Sequence, residues 1–395
     1  MRKITADYIL PVSHPPLKNG VVIVDGKGKI KALDKRENHD PASLETYTGC
    51  IVPGFVNTHC HLELSHMKGV APSGTGLIPF ITTVVQHRDV PPEKIDAAIA
   101  RADREMYRAG IVAVGDISNK ADTATVKMKS PIRYYTFVEM FDFLNDDMAR
   151  QTFDNYMEVY KKQADGRGHK KSIVPHAPYT VSRRLFQLIN DANRTPGAAR
   201  HTVSIHNQET PHEDVFFQKK KGALVDFYKG FGISIAHFKK TGKRSIYYAM
   251  ENMDPAHRSL FVHNTLTQAE DIQAAHRWSN NVFWATCPNA NLYIENRLPD
   301  YKIFLKNNAK MTIGTDSLTS NWQLSILEEM KTIDRYQSYI GLEVLLKWAT
   351  LHGAEALGME KDLGSIQPGK TPGLNLLNLG RGFSFKKSTR VKRLV

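Results

Sequence analysis

The sequence predicts an α/β protein: a (β/α)8 barrel of the TIM type, with a small β-sandwich domain built from the N- and C-terminal segments. Two observations carry the barrel. From Ile51 onward, short β-rich runs alternate with amphipathic helical stretches, the pattern of repeated βα units around a parallel sheet. Those runs number eight, the strand count of a parallel barrel, for which about 250 residues is typical and insertions are common. A third observation carries the small domain: the segments flanking the βα units read as strand and turn.

The N-terminal segment GVVIVDGKGKIKALD alternates apolar and polar residues on both sides of Asp25 and Gly26, as a β-hairpin with a polar turn does. The candidate barrel strands follow in order: Phe55–His59, Ile111–Asp116, Ile132–Val138, Ser172–His176, Thr202–His206, Leu260–His263, Val282–Thr286 and Met311–Thr315. Helices lie between them. In PPEKIDAAIARADREMYRAG, Ile95, Ala98, Ile99, Ala102 and Met106 recur at helical spacing, and Gly110 is placed to stop the helix. VSRRLFQLINDAN and TQAEDIQAAHRW read the same way, and LEVLLKWATLHGAEALG is a last helical run. The barrel is placed at residues 52–355, and residues 1–51 plus 356–395 form the discontinuous β domain, to which the Gly/Pro-rich DLGSIQPGKTPGLNLLNL returns the chain.

Composition narrows the setting. With 395 residues, 41% hydrophobic and 24% charged, the chain has the make-up of a soluble globular protein, and no apolar run approaches the roughly 20 residues of a membrane helix. Its N-terminus lacks a signal-peptide core. Three scattered cysteines, Cys50, Cys60 and Cys287, do not make a disulfide framework and fit a reducing compartment, so the cytoplasm is expected. A net charge of +13 is read as a solvated basic surface and not as a nucleic-acid site, because the basic residues are dispersed and no nucleic-acid-binding motif accompanies them. The tail RGFSFKKSTRVKRLV is the densest basic run.

The chemistry gathers at predicted strand ends. His59 and His61 end the first strand, Glu139 follows the third, His176 ends the fourth, His206 the fifth, His263 the sixth, and Asp316 follows the eighth. Active sites of such barrels form on that face. His59 and His61 are two apart on a strand, so both imidazoles point to one side and enter the barrel mouth together.

PGFVNTHCHLELS, IHNQET, FVHNTLT and GTDSLTSN, in that order, resemble the amidohydrolase superfamily over nearly the whole chain, and within it the mononuclear deaminase and chlorohydrolase branch. The resemblance implies one divalent metal ion, zinc in general and iron in some members, held by His59, His61, His206 and Asp316. Three neutral imidazoles and a carboxylate suit zinc, and an open coordination position brings the pKa of bound water towards neutrality. The resemblance also implies that Asp316 accepts a proton from that water. His263 is implied to be a non-ligating histidine that orients the nucleophile and stabilises the oxyanion, and Glu209 to carry a proton to a ring nitrogen. PHAPYT stands where binuclear members usually supply a lysine, which favours a mononuclear site.

His176, Glu63 and Glu139 are the expected substrate contacts, with Ser65 and the weaker His66 further along HLELSHMKG. Each has a bland alternative: Glu63 in loop packing, His176 as a satisfied structural group, Glu209 as a solvated carboxylate beside Glu213, and Asp316 as a helix cap, a task Ser317 or Ser320 also fits. Cys287 is read as a pocket wall and not as a nucleophile. The leading function is hydrolytic deamination of an amino-substituted aromatic heterocycle, such as a purine nucleoside derivative of the aminofutalosine type, by a cytoplasmic homo-oligomer, a dimer. One alternative is a chlorohydrolase or another C–N bond hydrolase of the same superfamily. Another is a non-catalytic, amidohydrolase-like assembly protein. GKTPGLNLLNL departs from the superfamily's usual ending and puts the detail of the small β domain in question.

Overall fold

Strands that are covered on both faces need apolar residues on both faces, and the central strands have them. Every residue of Phe55–Cys60 and Ile111–Ser118 is buried, as expected of parallel strands flanked by helices. The computed structural model describes residues 1–194 and 200–395. Its centre is two four-stranded parallel sheets. One holds Phe55–Cys60, Ile111–Ser118, Arg133–Met140 and Lys170–Pro175; the other holds Thr202–Asn207, Arg258–His263, Val282–Thr286 and Met311–Ile313.

These are the eight expected strands in the expected order, and their ends differ by a few residues. Glu139 lies within the third strand, opposite Val174, rather than after it. The eighth strand stops at Ile313 instead of Thr315. Gly314 takes the chain past the first strand so closely that a Cβ there would stand 2.8 Å from the His59 Cβ and 2.9 Å from the Cys287 sulfur.

The edges of the two sheets meet at both ends of the series. At one seam the His206 N–H donates to the His176 carbonyl at 2.9 Å, and the Ser172 hydroxyl donates to the Thr202 carbonyl at 2.7 Å. At the other, the N–H groups of Thr315 and Asp316 both donate to the His59 carbonyl at 3.0 Å.

The helices form where apolar spacing places them. Pro92–Arg108 buries Ile95, Ala98, Ile99, Ala102 and Met106, and Gly110 takes a φ of +83° just beyond it, a conformation glycine adopts without strain. Arg183–Asn193 begins at Ser182, whose hydroxyl accepts from the Leu185 N–H. Ala269–Trp278 begins with a reciprocal capping box between Gln268 and Asp271. The last helical run is divided into Leu342–Ala349 and Leu351–Ala356, because Thr350 leaves helical geometry (φ −136°, ψ −80°) and its hydroxyl donates back to the Leu346 carbonyl at 2.6 Å.

The terminal segments form two further sheets. Gly20–Val24 and Ile30–Lys35 pair antiparallel as the expected hairpin, with the Asp25 carboxylate accepting the N–H groups of Lys27 and Lys29 in the turn. Leu374–Leu377 pairs antiparallel with Cys50–Pro53, so the C-terminal segment does return to the N-terminal strands. Ile4, Ile9, Val22, Val24, Ile30, Ile51, Ile366 and Leu374 pack as one apolar cluster drawn from both ends of the chain. Among the described residues, no helix is long and apolar enough to cross a membrane.

Candidate metal centre

Strand geometry brings the sequence-predicted donors together. His59 is the fifth residue of the first strand, and His61 lies one residue past its end. Their Nε2 atoms are 3.2 Å apart, and Asp316 Oδ1 stands 3.5 Å from the first and 3.4 Å from the second. One ligand atom each of His59, His61 and His206 falls within a 4.8 Å cluster. For metal–ligand bonds of about 2.0–2.1 Å, neighbouring donors at the corners of a tetrahedron lie about 3.3–3.4 Å apart. The three measured separations fit that edge, so the residues present suit a zinc-sized cation.

Protonation favours the same use at His59 and His61. Burial lowers the pKa of His59, His61 and His263 to about 4, which leaves neutral rings with a free lone pair. For Asp316, burial opposes the charge, but its contacts with His59, His61 and His263 outweigh it and hold the carboxyl well below its ordinary range. The Ser320 hydroxyl donates to Asp316 Oδ2 at 2.5 Å, leaving Oδ1 to face the imidazoles. His206 differs. Burial lowers its pKa, yet Glu139 Oε1, 3.3 Å from Nδ1, raises it overall to about 9. Nδ1 also donates to the His176 carbonyl at 2.9 Å, so Nε2 is the nitrogen left for a cation.

Two catalytic candidates, His263 and Glu209, stand beside this cluster. The His263 Nε2 lies 3.6 Å from Glu209 Oε2, and its Nδ1 pairs with Asn291 Oδ1 at 2.8 Å. One ligand atom each of His263, His59 and Asp316 also falls within 4.8 Å. Glu209 is 5% exposed, and burial pushes its carboxyl up to about 8 despite the opposing pull of His206, a value suited to giving and taking a proton near neutrality. Gln208, His263 and Asp316 have φ values of +45°, +73° and +57°. Left-handed backbone at non-glycine residues carries strain, and such strain gathers at functional sites.

The expected substrate contacts separate into two kinds. His176 Nδ1 pairs with the Thr180 hydroxyl at 2.8 Å and the ring stands 4.9 Å from that of His206, so it borders the cluster. Glu139 takes a 3.2 Å hydrogen bond from the Asn119 side chain on Oε2 and faces His206 with Oε1; burial opposes its charge, but His176 and His206 lower its pKa. Glu63 is occupied on both oxygens, by Arg88 at 3.2 Å and by the N–H groups of Asn119 and Lys120 at 3.0 and 3.1 Å. The Ser65 hydroxyl turns back to the Leu62 carbonyl, and His66 Nε2 pairs with the Arg88 carbonyl. Cys287 is fully buried, and burial pushes its thiol well above the ordinary range.

Sequence reasoning missed the residues that hold this set in place. Asp116 in the second strand accepts the Leu62 N–H at 2.8 Å, directly after His61, and pairs at 2.6 Å with Lys127; both side chains are completely buried. Lys127 places its remaining donors on the hydroxyls of Ser118 and Thr136. A carboxylate near the end of a predicted strand was the available signal for Asp116. For Lys127 and Asn291 the signal exists only in space.

Known proteins resemble this chain in sequence and in fold. The adenosine deaminase of Helicobacter pylori is 26% identical over 343 residues, spanning 85% of this chain and 80% of that protein. The aminodeoxyfutalosine deaminase of a Nitratiruptor species is 26% identical over 375 residues, spanning 90% and 87%. The crystal structure of Helicobacter pylori aminofutalosine deaminase with methylthio-coformycin covers 100% of both chains with a TM-score of 0.81 at 21% identity. That of atrazine chlorohydrolase from Arthrobacter aurescens, complexed with zinc, covers 100% of this chain and 94% of its own with a TM-score of 0.78 at 15% identity. At those identities the two structures speak for the fold. A sequence model of the amidohydrolase family matches residues 50–393, and the chain belongs to that family.

Proposed function

We propose that this protein is a metal-dependent hydrolytic deaminase of an amino-substituted purine nucleoside. The carrying observation is the convergence of His59, His61 and Asp316 at 3.2–3.5 Å beside two buried groups 3.6 Å apart, Glu209 and His263. His59, His61, His206 and Asp316 would hold one zinc or iron ion, whose Lewis acidity, when bound, makes water a nucleophile at neutral pH.

The chain's own groups supply the rest. Glu209 holds a proton at its carboxyl and delivers it to the ring nitrogen next to the amino-bearing carbon, so that the ring accepts electrons as water adds. His263 faces the same space through Nε2, with its other nitrogen fixed by Asn291, and steadies the oxygen that adds to the ring. Asp316, ionised and with Oδ1 turned to the imidazoles, is the acceptor for the proton that water gives up. That proton then goes to the departing amine, ammonia leaves as the added hydroxyl gives its own proton back to the Glu209 carboxylate, and the ring keeps a carbonyl. His176 borders the space a heterocycle would fill. Glu139 orients His206, as carboxylates behind metal-bound histidines do, and Glu63 fixes the loop that follows His61.

The relatives named adenosine deaminase and aminodeoxyfutalosine deaminase support an adenine-type base with a variable 5′ substituent. We read the eight parallel strands as one closed barrel over residues 52–355, supported by hydrogen bonds at both seams. Residues 1–51 and 356–395 are read as a β-sandwich, supported by their shared apolar cluster. The reading includes a cytoplasmic homodimer; buried free thiols at Cys50, Cys60 and Cys287 fit a reducing compartment.

Ammonia release from a panel of adenine nucleosides by zinc-loaded protein tests the function. Turnover of at least one, with the 6-oxo product, is expected. No ammonia from any member would remove deamination. Chloride release from a chlorotriazine in its place would keep the metal centre and change the leaving group.

A further inference from the structure

Glu209 is delivered to the site by a backbone turn that its own side chain does not hold. Gln208, just before it, has φ +45°, a conformation that residues with a Cβ rarely adopt. The turn is clamped from both sides. Glu213, completely buried on the helix Pro211–Lys219, accepts the Gln208 N–H on Oε2 at 3.0 Å and the Glu209 N–H on Oε1 at 2.8 Å. An N–H can only donate, so both bonds require both oxygens of Glu213 to act as acceptors. Opposite, the Thr265 hydroxyl, two residues past His263, lies 2.9 Å from the Gln208 carbonyl and 2.6 Å from the Glu209 carbonyl. The Gln208 side chain is tied to Thr267 and Asp271.

We infer that Glu213 and Thr265 are positioning residues that set the backbone of residues 208–209 and thereby aim the Glu209 carboxyl at the reacting ring, with no contact to substrate or metal of their own. A pair of buried acids four residues apart is thus divided in function: one oxygen pair is spent on the backbone, the other is left free. The inference rests on the proton-carrying role proposed for Glu209.

The test is a double-mutant cycle on the zinc-loaded full chain, with kcat, KM, zinc content and Tm measured for each variant. In Glu213→Gln one of the two N–H groups meets an amide donor in place of an acceptor, and kcat is expected to fall about 10- to 100-fold, the usual effect of losing a supporting partner, with KM and zinc content held. In a Glu209→Ala background the same substitution is expected to leave the residual kcat unchanged, because nothing remains to be aimed. Thr265→Val, run in parallel, removes the clamp from the carbonyl side and is expected to behave in the same way if Glu213→Gln does not fold. An equal fold-loss in both backgrounds, no loss in either, or unfolding of both variants while Glu209→Ala stays folded would overturn the inference. Full kcat in Glu209→Ala alone would instead remove the proposed role of Glu209, which separates the two failures.

Discussion

Glu63 and Glu209 are both acids on the strand-end face, both nearly inaccessible at 3% and 5% exposure, and both raised by burial, to about 7 and about 8. Their surroundings divide them. Glu63 spends its oxygens on Arg88 and on two backbone N–H groups; Glu209 has no hydrogen-bond donor within reach among the described residues and meets only His263 at 3.6 Å. Burial and a shifted pKa therefore do not mark a catalytic acid by themselves. The informative quantity is the lone pair that the fold leaves unspent, because a carboxyl without a protein donor stays free to exchange a proton with a substrate.

Three experiments bear on that contrast. The largest effect is expected from removing the metal: prolonged chelation should bring turnover to background and lower Tm, and added zinc should restore both, since a cation that binds only the folded chain stabilises it. Next, Glu209→Gln should lower kcat by about 10²–10⁴-fold, the range for losing a general acid or base, while zinc content and Tm hold. The smallest effect on chemistry is expected from Glu63→Gln, which should cost about 1–3 kcal/mol of stability by leaving buried donors poorly paired and keep kcat per folded molecule near the wild-type value. If Glu63→Gln cut kcat as deeply as Glu209→Gln with stability intact, the contrast between spent and unspent carboxyls would fail.

The fold was legible because each strand of the parallel core carries its own apolar run and each intervening helix its own periodicity. The positions of the eight strands and of the helix Pro92–Arg108 follow from those local signals. Strand ends were less legible: Glu139 is inside its strand because pairing with Lys170–Pro175 continues to Met140, and a single strand's composition does not reveal where its neighbour stops. The donor cluster was readable from motif order, since His59, His61, His206 and Asp316 all sit at strand ends. The sequence separated Glu209, as a proton carrier, from Glu63, as a substrate contact, by motif alone; that Glu63 is instead tied to Arg88, Asn119 and Lys120 was hidden, because those partners reach it only by folding. Lys127 was hidden for the same reason; a lysine in KADTATVKMKS reads as surface until Asp116 is seen 2.6 Å away.

The central claim is one metal ion held by four named side chains, and metal stoichiometry tests it most directly. Quantified by elemental analysis after zinc loading and removal of free metal, the wild-type chain should hold one equivalent and Asp316→Asn a small fraction of that. Two tightly held equivalents in the wild type, or one undiminished equivalent in Asp316→Asn, would contradict the account.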